Sequence, residues 1–376
     1  MMNNKLEFKN DNTIVNLSNS ILKHFNAPTH HTTIKEIDDV LKGHKKVVIM
    51  LFDGLGTSLR KYNLDDKSAL NTHFLHRINA TYPPTTVAST SGFLSGLFPI
   101  ENGWLSWRQY YDEYNCNVLV FSGKDPDSNN WHKTSSGSSI HYQKFPFDNL
   151  AVQINKANNK HISDIIFPKI LDKKGPKSLL GYKQKVNKYL KDKEECFLYV
   201  YNTQPDFSIH RYGVKHLKVK KLINRIDHMV DKLTKNNLDT LFLIIADHGL
   251  VDVTTVHVFE HEDLVDTFIH QPSFEGRTTT FFIKEDRKEE FEQLFNKYYG
   301  EHFMLLTKDE VLKSNMFGEG KINEAAIKYI GDYVSLSKDS YFFDLNKVQT
   351  KDDLFVAHHA GYTKEEMEID VSVFNS

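Results

Sequence analysis

Apolar residues along this chain gather in short unbroken runs, each leading into an aspartate. Val47-Val48-Ile49-Met50-Leu51-Phe52 stops at Asp53-Gly54-Leu55-Gly56, and Cys196-Phe197-Leu198-Tyr199-Val200-Tyr201 runs into Asn202-Thr203-Gln204-Pro205-Asp206. Thr240-Leu241-Phe242-Leu243-Ile244-Ile245-Ala246 stops at Asp247-His248-Gly249. Continuous runs of this length predict strands buried on both faces, as in a parallel sheet covered by helices. Asn117–Phe121 is a shorter fourth candidate.

Between the runs the spacing turns helical. Residues 11–26 place Ile14, Leu17, Ile21, Leu22 and Phe25 on one stripe, a second helical piece covers Ile34–Leu41, and Val214 to Lys235 forms the clearest helix. In the last, Leu217, the Lys221 stem, Leu222 or Ile223, Ile226, Val230 and Leu233 are expected on one face. Strands alternating with helices predict a doubly wound α/β sheet, in which ligands gather beyond the carboxyl ends of the strands. Asp53, Asp206 and Asp247 fall there.

Two stretches break the alternation. Trp104 to Leu180 opens with Trp104, Trp107, Tyr110, Tyr111 and Tyr114 and passes through the polar loop Ser122–Ser139. Residues 277–346 predict a small α+β insert: a strand at Thr278–Ile283, a helix at Arg287–Tyr299 with Gly300 past its end, and a capping box at Thr307-Lys308-Asp309-Glu310. The expected organisation is an N-terminal helical segment (1–45), a core of 46–276 and 347–376 carrying an insert at 104–180, and the insert 277–346.

Composition narrows the function classes. The chain has 376 residues, 40% of them hydrophobic, enough for a sizeable core. Lys+Arg 47 against Asp+Glu 49 leaves no basic field for binding a nucleic-acid polymer or a membrane surface. No stretch reaches the ~18 apolar residues of a membrane span, and the start carries no apolar leader, so a cytoplasmic protein is expected. Cys116 and Cys196 lie in no CxxC or ligand pattern.

The chemistry resides in one set of residues. Asp206 and His210 stand one helical turn apart, Asp247 and His248 are adjacent after a buried run, Asp53 ends another, and His358-His359-Ala360-Gly361 brings imidazoles beside small residues. Carboxylates crowded on one sheet rim repel unless cations or protons sit among them. Mixed Asp and His donors suit zinc, and also manganese or iron, and six such ligands suffice for two ions. In Tyr82-Pro83-Pro84-Thr85-Thr86 the prolines lead extended backbone into a threonine pair followed by a small and apolar helical run. Thr85 or Thr86 is then a helix cap, beside backbone N–H groups that favour an oxyanion.

Taken in order, Phe52-Asp53-Gly54, Pro84-Thr85-Thr86 leading to Ser95-Gly96-Leu97-Phe98-Pro99, Pro205-Asp206-x-x-x-His210-x-x-Gly213, Ala246-Asp247-His248-Gly249 and His359-x-Gly361 form a five-part signature. It resembles the type I phosphodiesterase and nucleotide pyrophosphatase branch of the alkaline phosphatase superfamily, over about residues 47 to 375. The resemblance implies a three-layer α/β/α sandwich with a mostly parallel central sheet. It also implies two divalent ions, zinc first: one on Asp206, His210 and His359, the other on Asp53, Asp247, His248 and Thr86. Thr86 would be the nucleophile, standing nine residues before Ser95-Gly96-Leu97, and the substrate a small phosphate ester of nucleotide type.

One departure stands out. Relatives carry an asparagine about twenty residues after the nucleophile, where this chain reads Gly103-Trp104-Leu105-Ser106-Trp107-Arg108. Trp107 and Arg108 are the candidate substrate contacts, against a reading of Trp104 and Trp107 as core aromatics. A phosphomonoesterase or phosphonate hydrolase on the same scaffold would call on Lys124, Arg108 or His132 for the extra charge. A metal-binding or ligand-binding protein without turnover is the alternative outside enzymes. The oligomeric state is not legible.

Overall fold

The three long apolar runs pair directly with one another. In the computed structural model, which describes residues 8–346 and 355–375, the strand Lys46–Phe52 lies between Cys196–Asn202 and Leu241–Ile245, parallel to both. Val48 aligns with Leu198 on one side and Phe242 on the other, and all three are fully buried. Each such side chain contributes roughly 1.5–3 kcal/mol by leaving water. The sheet has six strands in the order Phe74–Asn79, Glu368–Phe374, Leu241–Ile245, Lys46–Phe52, Cys196–Asn202, Ser163–Ile166. Glu368–Phe374 runs antiparallel to both neighbours.

Helices cover both faces. Ile14–His24 packs with Thr86–Ser95 and Leu150–Asn158, and Leu217–Thr234 packs with Thr57–Asn63 and Leu179–Leu190. Ile14–His24 is tied down by Ser18 Oγ donating to Phe93 O (2.6 Å) and Asn19 Nδ2 to Gly96 O (3.0 Å). In Leu217–Thr234 the buried stripe is Val219, Ile223, Ile226, Val230 and Leu233. Leu217 is exposed, because the helix begins there, with His216 as its cap.

A second sheet, antiparallel throughout, has the order Phe303–Thr307, Tyr333–Ser337, Thr278–Phe281, Ser273–Glu275, Arg108–Tyr111, Cys116–Leu119. This redraws the expected inserts. The fourth run is no core strand: Cys116–Leu119 pairs with Arg108–Tyr111 at the edge of the second sheet. The stretch 104–180 is split, its first part joining the sheet built from 273–337 and its second part supplying Leu150–Asn158 and Ser163–Ile166 to the core. Within 277–346 the strand is Thr278–Phe281, the helix Lys288–Tyr299 buries Phe291 and Phe295, and Thr307 and Glu310 cap each other reciprocally. The core boundary placed at 347 lies outside the described residues.

Candidate active site

The carboxyl ends of the parallel strands deliver the acidic groups to one rim. Asp53 follows Lys46–Phe52, Asp247 follows Leu241–Ile245, and Asp206 opens the helix Asp206–Tyr212 after Cys196–Asn202. The loops are laced together: Asp206 N donates to Asp53 O (2.9 Å), and Gly54 N to Asp247 Oδ1 (3.1 Å). Gly54 adopts φ +72°, and a Cβ there would stand 2.6 Å from Leu250 Cδ1 and 2.9 Å from Asp206 Cβ. Only glycine permits both the turn and that approach.

His359 arrives on the segment after Ala357–His358. Ala360 N donates to Pro84 O (3.0 Å), fastening this segment to the threonine loop. Beneath it, Arg277 and Glu366 form a fully buried bidentate pair (Nε–Oε1 2.7 Å, Nη2–Oε2 2.9 Å), and Glu366 Oε1 also accepts from Gly361 N (2.7 Å). A Cβ at Gly361 would lie 2.6 Å from both Arg277 Nη2 and Glu366 Oε2, which accounts for the glycine.

The ligand candidates gather in two clusters, Asp53/Asp247/His248 and Asp206/His210/His359, with a third grouping of Glu275, His358 and His359 beside them. Two of the three imidazoles are oriented by backbone carbonyls. His248 Nδ1 lies 3.1 Å from Gly249 O and His210 Nδ1 lies 2.8 Å from Ala357 O, which assigns the proton to Nδ1 in each. Their Nε2 atoms then face carboxylates, His248 at 3.3 Å from Asp53 Oδ1 and His210 at 3.3 Å from Asp206 Oδ1. Asp206 Oδ1 and Asp247 Oδ2 are buried without a hydrogen-bond partner. Lone pairs aimed at lone pairs, with orphaned buried oxygens among them, are what a divalent cation satisfies. The donor set, three carboxylates and three imidazoles, fits zinc and also manganese or iron.

Left to protons alone, the rim holds them. Burial, then repulsion from Asp53, pushes the Asp247 carboxyl well above its usual range, and burial with Asp206 raises Asp53. Burial pulls His248 down, but Asp247 and Asp53 override it and lift the imidazole to about 10. Burial pushes Asp206 up and His210 down, and their mutual attraction outweighs both, lowering Asp206 and raising His210. His359 is driven well below its ordinary value by burial and by His248 and His358.

Thr86 is the first residue of the helix Thr86–Ser95, which ends at Gly96 in the left-handed conformation. Its Oγ1 lies 3.4 Å from both Asp53 carboxylate oxygens and 3.2 Å from His248 Nε2. Thr85 occupies the cap position, but its side chain makes no capping bond, so the expected hydroxyl cap is absent. Thr85 Oγ1 is buried and neighbours the Glu275 carboxyl.

Trp104 is fully buried with Nε1 donating to Phe145 O (3.0 Å), whereas Trp107 is 39% exposed and meets Phe121 edge-on. Arg108 turns its guanidinium to Leu345 O (3.5 Å) and Asn346 Oδ1 (3.4 Å), and burial lowers its pKa against the pull of Asp127, Asp344 and Glu275. His132 Nε2 contacts Cys116 Sγ (3.4 Å) and its ring stacks on Tyr114, and Lys124 bridges by backbone to Trp131. Two residues of the rim were not singled out from sequence. Tyr201 donates its hydroxyl to Asp53 Oδ2, and Glu275 is buried against Ser106 Oγ (3.2 Å), Trp107 N (3.2 Å) and His359 Nδ1 (3.4 Å). Burial raises the Glu275 carboxyl, opposed by Thr85 and the other donors around it. Tyr201 hides inside an apolar run. Glu275 had one signal, an acid just before the Phe/Thr-rich strand Thr278–Phe281.

A mostly parallel sheet covered by helices on both faces, with both carboxylate–imidazole clusters gathered at its rim, is the alkaline-phosphatase-like fold. Residues 47–361 match the family model described as type I phosphodiesterase / nucleotide pyrophosphatase, and the chain belongs to that enzyme family. Its fold is that of murine ectonucleotide pyrophosphatase / phosphodiesterase 5 (TM-score 0.63, 14% identity, 88% of each chain covered) and of the human protein of the same name (0.58, 16%, 88% of each). A structure of the murine protein in an inactive form, in complex with AMP, aligns at TM-score 0.59 with 14% identity and 88% of each chain covered. Among curated proteins none matches the chain.

Proposed function

We propose that this protein hydrolyses phosphodiester or pyrophosphate bonds of small nucleotide-like substrates through a covalent phosphothreonine at Thr86. The observation that carries the reading is the position of the Thr86 hydroxyl, at a helix start and 3.2–3.4 Å from His248 and Asp53. Asp206, His210 and His359 would hold one divalent ion, and Asp53, Asp247, His248 and Thr86 the other. When bound, two such ions supply charge stabilisation for the attacking and leaving oxygens and make a threonine hydroxyl a competent nucleophile.

The chain's own groups do the rest. Thr86 Oγ1 forms the bond to phosphorus as the bond to the leaving oxygen breaks, and water later cleaves the phosphothreonine. Helix-start N–H groups meet charge growing on a non-bridging oxygen. Asp53, fixed by Tyr201, orients the hydroxyl. His132 and Arg108, two of the cations that a monoester would call on, have their side chains engaged elsewhere as described above. That favours a diester, which carries less charge. The AMP complex of the murine relative motivates the nucleotide-like class.

Thr86→Ala is expected to lower turnover of bis(nitrophenyl) phosphate by roughly 10³-fold or more, about 4 kcal/mol in barrier, with zinc content unchanged. Retained turnover would remove Thr86 from the role. Faster turnover of nitrophenyl phosphate than of the diester would shift the reading to a monoesterase.

A further inference from the structure

The three imidazoles of the rim are held in two ways. His248 and His210 each present Nδ1 to a backbone carbonyl, Gly249 O and Ala357 O. Among the described residues, His359 Nδ1 has no hydrogen-bond partner within ordinary length, and the acceptor facing it is Glu275 Oε2 at 3.4 Å. The other oxygen of that carboxylate, Oε1, is anchored by two donors, Ser106 Oγ and Trp107 N, each at 3.2 Å. Glu275 comes from the strand Ser273–Glu275 of the antiparallel sheet, so a side chain of one sheet reaches a ligand candidate on the rim of the other.

Resting on the two-ion reading above, we propose that Glu275 is the positioning residue of the Asp206/His210/His359 cluster: its Oε2 accepts the Nδ1 proton of His359 and so turns the Nε2 lone pair towards Asp206 and His210. A carboxylate behind a ligating imidazole fixes both tautomer and ring orientation. The 3.4 Å separation is a few tenths of an ångström beyond a good N–H···O bond, and it is the distance that loading the cluster is expected to shorten.

The competing use of these atoms is a separate cation site on Glu275, His358 and His359. Three observations oppose it. Glu275 Oε1 already serves two donors, and His358 Nδ1 lies 3.0 Å from the N–H of His359. His359 itself cannot give both nitrogens to cations without losing its remaining proton.

The test is Glu275→Gln in the full chain. For Gln to keep Ser106 and Trp107 its carbonyl must face them, which points its NH2 at the Nδ1 proton of His359, donor against donor. The expected result is that one of two zinc ions is held roughly 10- to 100-fold more weakly in chelator competition, while the other is held as in the wild type. Unchanged affinity at both sites, or equal loss at both, overturns the proposal. A second measurement uses the unsubstituted protein: nitrogen NMR of the zinc-loaded, histidine-labelled chain should show His359 protonated at Nδ1 and ligating through Nε2. Ligation through Nδ1 overturns it. A wild-type chain that takes up no zinc overturns the parent reading, and this one with it.

Discussion

Asp53, Asp247 and His248 sit directly beyond the ends of central strands, whereas Asp206, His210 and His359 come from a seven-residue helix and a returning C-terminal segment. The first cluster takes its rigidity from the sheet itself. Asp247 and His248 are wholly buried, Gly54 N and the His248 N–H both donate to Asp247 Oδ1, and Tyr201 of the adjacent strand holds Asp53. The second is propped from outside the sheet, by the Arg277–Glu366 pair under Gly361 and by Glu275 behind His359. Both props begin in the antiparallel sheet, on Ser273–Glu275 and just after it. The two halves of the rim therefore depend on different parts of the fold and are expected to be separable by substitution.

The largest separable effect is expected from Arg277→Met. It strands Glu366 as an unpaired buried carboxylate, a loss of roughly 3–5 kcal/mol, and loosens the segment that carries His359. Urea unfolding together with zinc stoichiometry checks both parts, and a loss below about 1 kcal/mol with both ions retained would contradict this account of the second cluster. Tyr201→Phe probes the first cluster. Removing the hydroxyl from buried Asp53 costs about 1–3 kcal/mol, which should weaken ion retention there by roughly tenfold or more and leave Asp206/His210/His359 as it was. Equal weakening of both would collapse the distinction.

How far this was legible in the sequence follows from the same division. Asp53, Asp206 and Asp247 announce themselves because each follows a continuous apolar run, and His210 because one helical turn separates it from Asp206. The props do not. Glu275 meets His359 only through a sheet that pairs Arg108–Tyr111 with Ser273–Glu275, over 160 residues of chain, and no local period encodes that pairing. Ser163–Ile166 was missed as a core strand because it is short and only partly buried at the sheet edge. Thr85 and Thr86 were separable only by the family's spacing, and the local geometry differs from the expected cap.

The smallest effect concerns the rim's outer edge. Trp107 presents an exposed ring beside the backbone N–H that Glu275 holds. Trp107→Ala should raise KM for an aromatic diester by a few fold, about 1 kcal/mol, with kcat and both ions unaffected. A change in metal content instead would mean that the ring belongs to the second cluster's support.

On the proposed route, phosphate passes through Thr86 on its way to water. Hydrolysis of a chiral phosphorothioate diester in isotopically labelled (heavy-oxygen) water reads this directly, because two successive in-line displacements retain configuration at phosphorus. Net retention is the predicted result, and net inversion, the mark of direct attack by water, would contradict it.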